Sequence, residues 1–190
     1  MLYSELQCSD AIHKAVERMG FAEMTEIQEK TIPVMMAGYD VIAKAPTGTG
    51  KTCAFGIPVA EHILPENKYP QAVIMAPTRE LAQQIAQELE ELTYFMPEVQ
   101  VACVYGGANI EKQAKRLAEG CQIVVATPGR LMDHYKHHSI DISHVTQIVL
   151  DEADEMLNMG FYKDVRHIIE MMKARKSLSM FSATISREVM

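Results

Sequence analysis

The chain has 190 residues, 48% of them apolar and 23% charged, with a net charge of −7. That suits one soluble α/β-sized domain with a full core, and the acidic balance excludes a generally basic nucleic-acid-binding surface; any such contact must rest on a local patch. No apolar run reaches the roughly 18 residues of a membrane span, and Met1 to Glu5 has no basic-then-apolar leader, so a cytoplasmic location is expected.

Apolar runs of strand length occur at Val41–Ala43, Ala72–Ala76, Val99–Val104, Ile123–Ala126, Ile148–Leu150 and Leu178–Phe181. Runs apolar on both faces predict a parallel sheet covered on both sides. Amphipathic segments lie between them. The clearest, Thr78 to Leu92, puts Leu81, Ile85, Leu89 and Leu92 on one face. Alternating strands and helices predict an α/β fold, a doubly wound and mostly parallel sheet with helices on both faces. No repeat or linker interrupts it, so residues 1–190 are expected to form a single domain.

Cys8, Cys53, Cys103 and Cys121 are scattered without metal-ligand spacing and read as small apolar residues. His134, His137 and His138 cluster without partners at ligand spacing and read as a solvated helix end. No structural metal is expected. Lys112, Lys115 and Arg116 make a basic helix face.

The unusual polar motifs follow the predicted strands, at the edge where open parallel sheets bind ligands. Ala45-Pro46-Thr47-Gly48-Thr49-Gly50-Lys51-Thr52 is a glycine-rich loop between a strand and a helix. Gly48 and Gly50 let backbone N–H groups approach phosphate oxygens, Lys51 supplies charge for the β and γ phosphates, and the Thr52 hydroxyl can ligate magnesium. Thr47 and Thr49 complete the predicted phosphate cradle. The general pattern begins with glycine where this chain has Ala45. Asp151-Glu152-Ala153-Asp154 follows an apolar strand. Asp151 is assigned to magnesium through water, and Glu152 to orienting or deprotonating the attacking water. The two strings together predict a nucleoside triphosphatase in which Lys51, Asp151 and Glu152 are catalytic.

With these motifs the chain resembles the N-terminal RecA-like domain of a DEAD-box RNA helicase. Gly20-Phe21 through Thr25-Glu26-Ile27-Gln28 is similar to that family's Q motif, within a region spanning residues 1–30, and a phosphate loop led by alanine also fits. The resemblance implies ATP with Mg2+ as the ligand, Gln28 reading the adenine edge, Thr25 holding the loop, and Tyr3 stacking on the base. Phe21 is expected to pack in the core. It implies RNA-backbone contacts from Pro77, Thr78, Arg79, Gly106, Gly107, Thr127, Pro128, Gly129 and Arg130, although either arginine could instead brace the domain. It implies coupling of hydrolysis to strand separation through Ser182, Thr184 and Asp154, by hydrogen bonds to the carboxylates of Asp151 to Asp154.

Met24 stands where the family's motif has proline, so the loop before Thr25 is less pre-set. The sequence ends at Met190, shortly after Thr184, and the family's second RecA-like domain with its arginine finger is expected in a longer parent. The compact start at Tyr3 resembles bacterial members. An ATP-gated RNA clamp without productive unwinding would need the same motifs. A guanine-nucleotide switch is disfavoured, because Asn67-Lys68-Tyr69-Pro70 lacks the closing aspartate of the guanine motif.

Overall fold

The computed structural model describes residues 1–46, 48 and 50–186. Among these residues, six strands form one parallel sheet: β1 (Ile42–Lys44), β2 (Ala72–Met75), β3 (Val101–Val104), β4 (Ile123–Ala126), β5 (Gln147–Asp151) and β6 (Ser177–Ser182). Their spatial order is β1-β6-β5-β2-β4-β3. Each coincides with one of the apolar runs to within a residue or two.

Alternate residues of one strand enter different cores, as the two-residue side-chain period requires. Ile74 of β2 and Ile123 and Val125 of β4 face one cluster, whereas Val73, Met75, Val124 and Ala126 face the other. The first cluster is closed by α1 (Asp10–Arg18), α2 (Glu26–Met36), α3 (Lys51–Glu61) and α4 (Arg79–Leu92). The second is closed by α5 (Ile110–Ala118), α6 (Pro128–Lys136), α7 (Ala153–Asn158) and α8 (Tyr162–Met171).

Right-handed crossovers explain that division. From β1 to β3 the chain steps across the sheet one way, and the helices fall on one face. From β3 back to β6 it steps the other way, and they fall on the opposite face. The fold is therefore doubly wound, with every strand's carboxyl end on one edge.

Thr78 is the N-cap of α4, its hydroxyl accepting from the Leu81 N–H at 3.2 Å. Ile85, Leu89 and Leu92 are fully buried as the periodicity predicts, and Leu81 is half-buried. α3 is buried from Lys51 to Ala60, because it backs on the sheet between α2 and α4. Burial holds all four thiols well above the ordinary value, at about 11 for Cys8 and Cys121 and about 12 for Cys53 and Cys103. They are inert packing groups.

Two expectations are corrected. His134 is not part of a solvated helix end: it is fully buried on α6, while His137 and His138 are exposed. Phe21 is not in the core but 44% exposed. The short turn Tyr3–Glu5 takes the inner position instead. Its Tyr3 ring is 5% exposed and stacks beneath Phe21 with centroids 6.4 Å apart.

Candidate nucleotide site at the carboxyl edge of the sheet

The loop after β1 turns through Gly48 and Gly50, both left-handed at φ 85° and 77°, a conformation glycine adopts without a Cβ clash. Thr47 and Thr49 lie outside the described residues. Gly50 is also a point of close approach, since a Cβ there would stand 2.6 Å from Gln28 Nε2. α3 begins at Lys51, so its positive end faces the loop. The Ala45 N–H donates to the Ser182 carbonyl at 2.8 Å, tying the loop's start to the end of β6.

Lys51 meets the carboxylates as their placement on neighbouring elements suggests. Its Nζ stands 3.0 Å from Asp151 Oδ1 and 3.4 Å from Glu152 Oε1. Lys51 is 5% exposed and Asp151 fully buried. Burial pushes the Asp151 carboxyl above its ordinary value, against the pull of Lys51. Glu152 occupies the left-handed region at φ 50°, ψ 52°, a strained conformation for a residue with a side chain.

Asp151 Oδ2 is buried without a hydrogen-bond partner among the described residues. Near it, Thr52 is hydrogen-bonded to Glu88 of α4, a carboxylate that burial pushes above its ordinary value. Hard oxygens of this kind, one an orphaned carboxylate oxygen, fit a magnesium ion with its retained waters. Glu88 escaped the sequence reading, although it lies one turn from Ile85 on the half-buried flank of α4.

Gln28 is buried at the first turn of α2. Its Oε1 accepts from the Thr25 N–H at 3.0 Å and from the Tyr3 hydroxyl, and its Nε2 donates to the Gly50 carbonyl at 3.0 Å. Thr25 returns the capping bond by accepting from the Gln28 N–H at 3.4 Å. The expectation that Tyr3 offers a stacking face is therefore corrected: its ring is covered, and its hydroxyl orients Gln28. Replacing Tyr3 with Phe removes one of the two bonds to Oε1. It is expected to cost about 1 kcal/mol, a fall of about 2–4 °C in melting temperature, checked by thermal denaturation; an unchanged midpoint contradicts it. Met24, at the motif's usual proline, donates its N–H to the Met1 carbonyl at 2.9 Å. Proline could not make this bond.

The predicted coupling contacts are partly as expected. Thr184 donates from its hydroxyl and its N–H to Asp154 Oδ2 at 3.0 and 3.2 Å. Ser182 also meets Asp154: its side chain is hydrogen-bonded to the Asp154 carboxylate, and its Oγ accepts from the Asp154 N–H at 3.2 Å. Burial acts to raise the Asp154 carboxyl, but these bonds from the Ser182 and Thr184 segment hold it below its ordinary value.

Of the candidate RNA contacts, Gly106 and Gly107 are exposed, Pro77, Thr127 and Pro128 are buried, and Thr78 and Gly129 are half-buried. Arg79 is exposed, its guanidinium over the Tyr105 ring at 4.7 Å. Arg130 braces the domain. Its Nη1 donates to the Ala108 carbonyl at 3.0 Å and to Gln113 Oε1 at 3.1 Å, with Asp133 at 3.5 Å. The bracing partners are a carbonyl and an amide; the neighbouring carboxylate is exposed. No group of His, Cys, Asp and Glu among the described residues could hold a metal by itself, and no helix is long and apolar enough to cross a membrane.

The family model described as DEAD/DEAH box helicase matches residues 25–190. A protein named ATP-dependent RNA helicase CshA from Limosilactobacillus reuteri is 49% identical over 189 residues, covering 100% of this chain and 38% of that protein. The chain thus spans well under half the length of this relative. A crystal structure of a DEAD box protein from Methanococcus jannaschii superimposes with a TM-score of 0.91 at 42% identity, covering 100% of this chain and 52% of that one. A hypothetical ATP-dependent RNA helicase from Sulfolobus tokodaii gives 0.88 at 40% identity, over 95% and 52%.

Proposed function

Because the chain belongs to the DEAD/DEAH box helicase family, we propose that it is the ATP-binding first domain of a cytoplasmic, ATP-dependent RNA helicase, working with Mg2+ and a second RecA-like domain. The observation that carries this reading is the buried Lys51–Asp151–Glu152 cluster at the mouth of the glycine loop. A lysine held by two carboxylates has an anionic partner to exchange for a triphosphate, and the carboxylates are then free for other work.

The geometry supports the following roles. Backbone N–H groups of the loop and the start of α3 hold the phosphates. Thr52 and Asp151 would hold magnesium, which when bound neutralises charge on the phosphates. Glu152, in its strained turn beside Asp151, orients the attacking water and takes its proton. Gln28 reads adenine after exchanging part of its internal hydrogen bonding for the base edge. Asp154, joined to Ser182 and Thr184, passes the state of the nucleotide to the end of β6. RNA phosphates are met by Arg79, the Gly106-Gly107 backbone and the turn at Thr127 to Gly129, contacts that carry little sequence information.

The parent protein would close two domains over RNA on binding ATP, separate a short duplex, and release the strand after hydrolysis. The test is ATP turnover by this chain with and without single-stranded RNA, beside its affinities for Mg·ADP and Mg·GDP. Measurable ADP binding, weaker GDP binding and near-zero turnover are expected, since an arginine finger supplied from elsewhere is worth roughly 10³–10⁵ in rate. RNA-stimulated turnover by the chain alone, or equal affinity for the two nucleotides, overturns the reading.

A further inference from the structure

We infer that Gln113 and His134 are positioning residues for RNA binding, clamping the exposed Gly106-Gly107 pair through Arg130; the inference rests on the reading that this pair meets RNA phosphates. Glycines have no side chains to anchor them, and Gly107 is left-handed at φ 85°. Their position is fixed by what holds the residues on either side. Both flanking carbonyls are held. The Tyr105 carbonyl accepts from Gln113 Nε2 at 3.0 Å, and the Ala108 carbonyl accepts from Arg130 Nη1 at 3.0 Å.

Gln113 joins the two ends. Its Oε1 accepts from Arg130 Nη1 and from His134 Nε2, each at 3.1 Å. Arginine has donors only, so the carboxamide is oriented with its oxygen toward Arg130 and its nitrogen toward Tyr105. His134 must then carry its proton on Nε2. Nδ1 becomes a bare lone pair, buried without a partner among the described residues. Burial first, and the Arg130 charge second, hold His134 below its ordinary pKa, consistent with a neutral ring.

The arrangement spans three chain segments: the loop after β3, α5 and α6. It explains why a guanidinium expected to meet RNA is turned inward. A clamped glycine loop offers its N–H groups in one geometry, so binding loses less conformational freedom. Gln113 is 8% exposed and acts through the loop rather than by contact.

The experiment compares Gln113→Leu, His134→Phe and His134→Gln with the unaltered chain. It measures affinity for a single-stranded oligouridylate at low salt and, separately, for Mg·ADP. Gln113→Leu is expected to weaken RNA binding about tenfold, roughly the worth of one lost hydrogen bond, with ADP affinity within about twofold. His134→Phe weakens RNA binding in the same direction, and His134→Gln, which restores a donor, recovers it. Should Gln113→Leu fail to fold, the two His134 variants decide alone. Unchanged RNA affinity in the folded variants overturns the inference, as does a parallel fall in RNA and ADP affinity. If the unaltered chain binds ADP but no RNA, the RNA reading itself fails, and that outcome is distinct.

Discussion

Replacing Lys51 with methionine is expected to destabilise this chain by about 3–5 kcal/mol near pH 8, because it strips the counter-ion from a buried carboxylate. Asp151 is fully buried, and its 3.0 Å contact with Lys51 is the principal one that offsets its desolvation. For a domain of this size, each kcal/mol corresponds to about 2–4 °C in melting temperature. The cost should shrink in acid. Asp151 already titrates above its ordinary 3.8, and removing the cation raises it further. Between 3.8 and the raised value the folded variant binds more protons than the unfolded chain, so its stability falls as pH rises through that window and recovers below it.

The companion variant carrying both Lys51→Met and Asp151→Leu should regain most of the loss, since apolar groups of similar size replace a buried pair with little penalty. Thermal denaturation of both variants at pH 5 and pH 8 gives the comparison. A double variant no more stable than the single one, or a single variant indifferent to pH, would show that the pair is not what holds this edge together. In either variant the affinity for Mg·ATP should fall, because the loop then lacks its phosphate cation.

The fold was legible where the chemistry is local and two-sided. Ile123-Val124-Val125-Ala126 has no polar face, so it had to lie between two cores, and it does. The loop glycines and the acids at the end of β5 stood out because each string breaks an apolar strand with unusual residue types, and the structure brings Lys51, Asp151 and Glu152 together. What escaped depends on partners distant in sequence. Phe21 and Tyr3 are aromatic residues near one motif, and only the turn at Tyr3 decides which is covered. Arg130 looks like a phosphate contact until Gln113, seventeen positions earlier on a different helix, is seen to hold it inward.

Gln113 did leave a signal. It sits four residues before Leu117 on the buried side of α5, a polar group in an apolar stripe. His134, three residues after the buried Leu131, is the same signal on α6. Polar residues on an apolar helix face must find partners inside, and here those partners are each other. Glu88, one turn beyond Ile85 on α4, is a third case beside the phosphate loop.

Substituting Glu152 with glutamine is expected to remove the base and keep the site. The exchange preserves the size of a side chain that stands 3.4 Å from Lys51 Nζ, and glutamine tolerates the left-handed backbone at φ 50° about as well as glutamate does. The Asp151 carboxylate, which accepts from the N–H of residue 152 at 3.0 Å, loses nothing. Nucleotide affinity should therefore stay within about twofold, while turnover falls by roughly 10²–10⁴, the usual worth of a positioned general base. The measurement needs this domain joined to the proposed second domain, with RNA present, and reads kcat and KM separately. Asp151→Asn is the contrast: it should raise the magnesium concentration needed for nucleotide binding. A drop confined to kcat assigns Glu152 to the chemical step. If kcat instead survives in Glu152→Gln and KM rises, the strained turn serves binding, and the base must be sought elsewhere, with Glu88, the carboxylate hydrogen-bonded to Thr52, as a candidate.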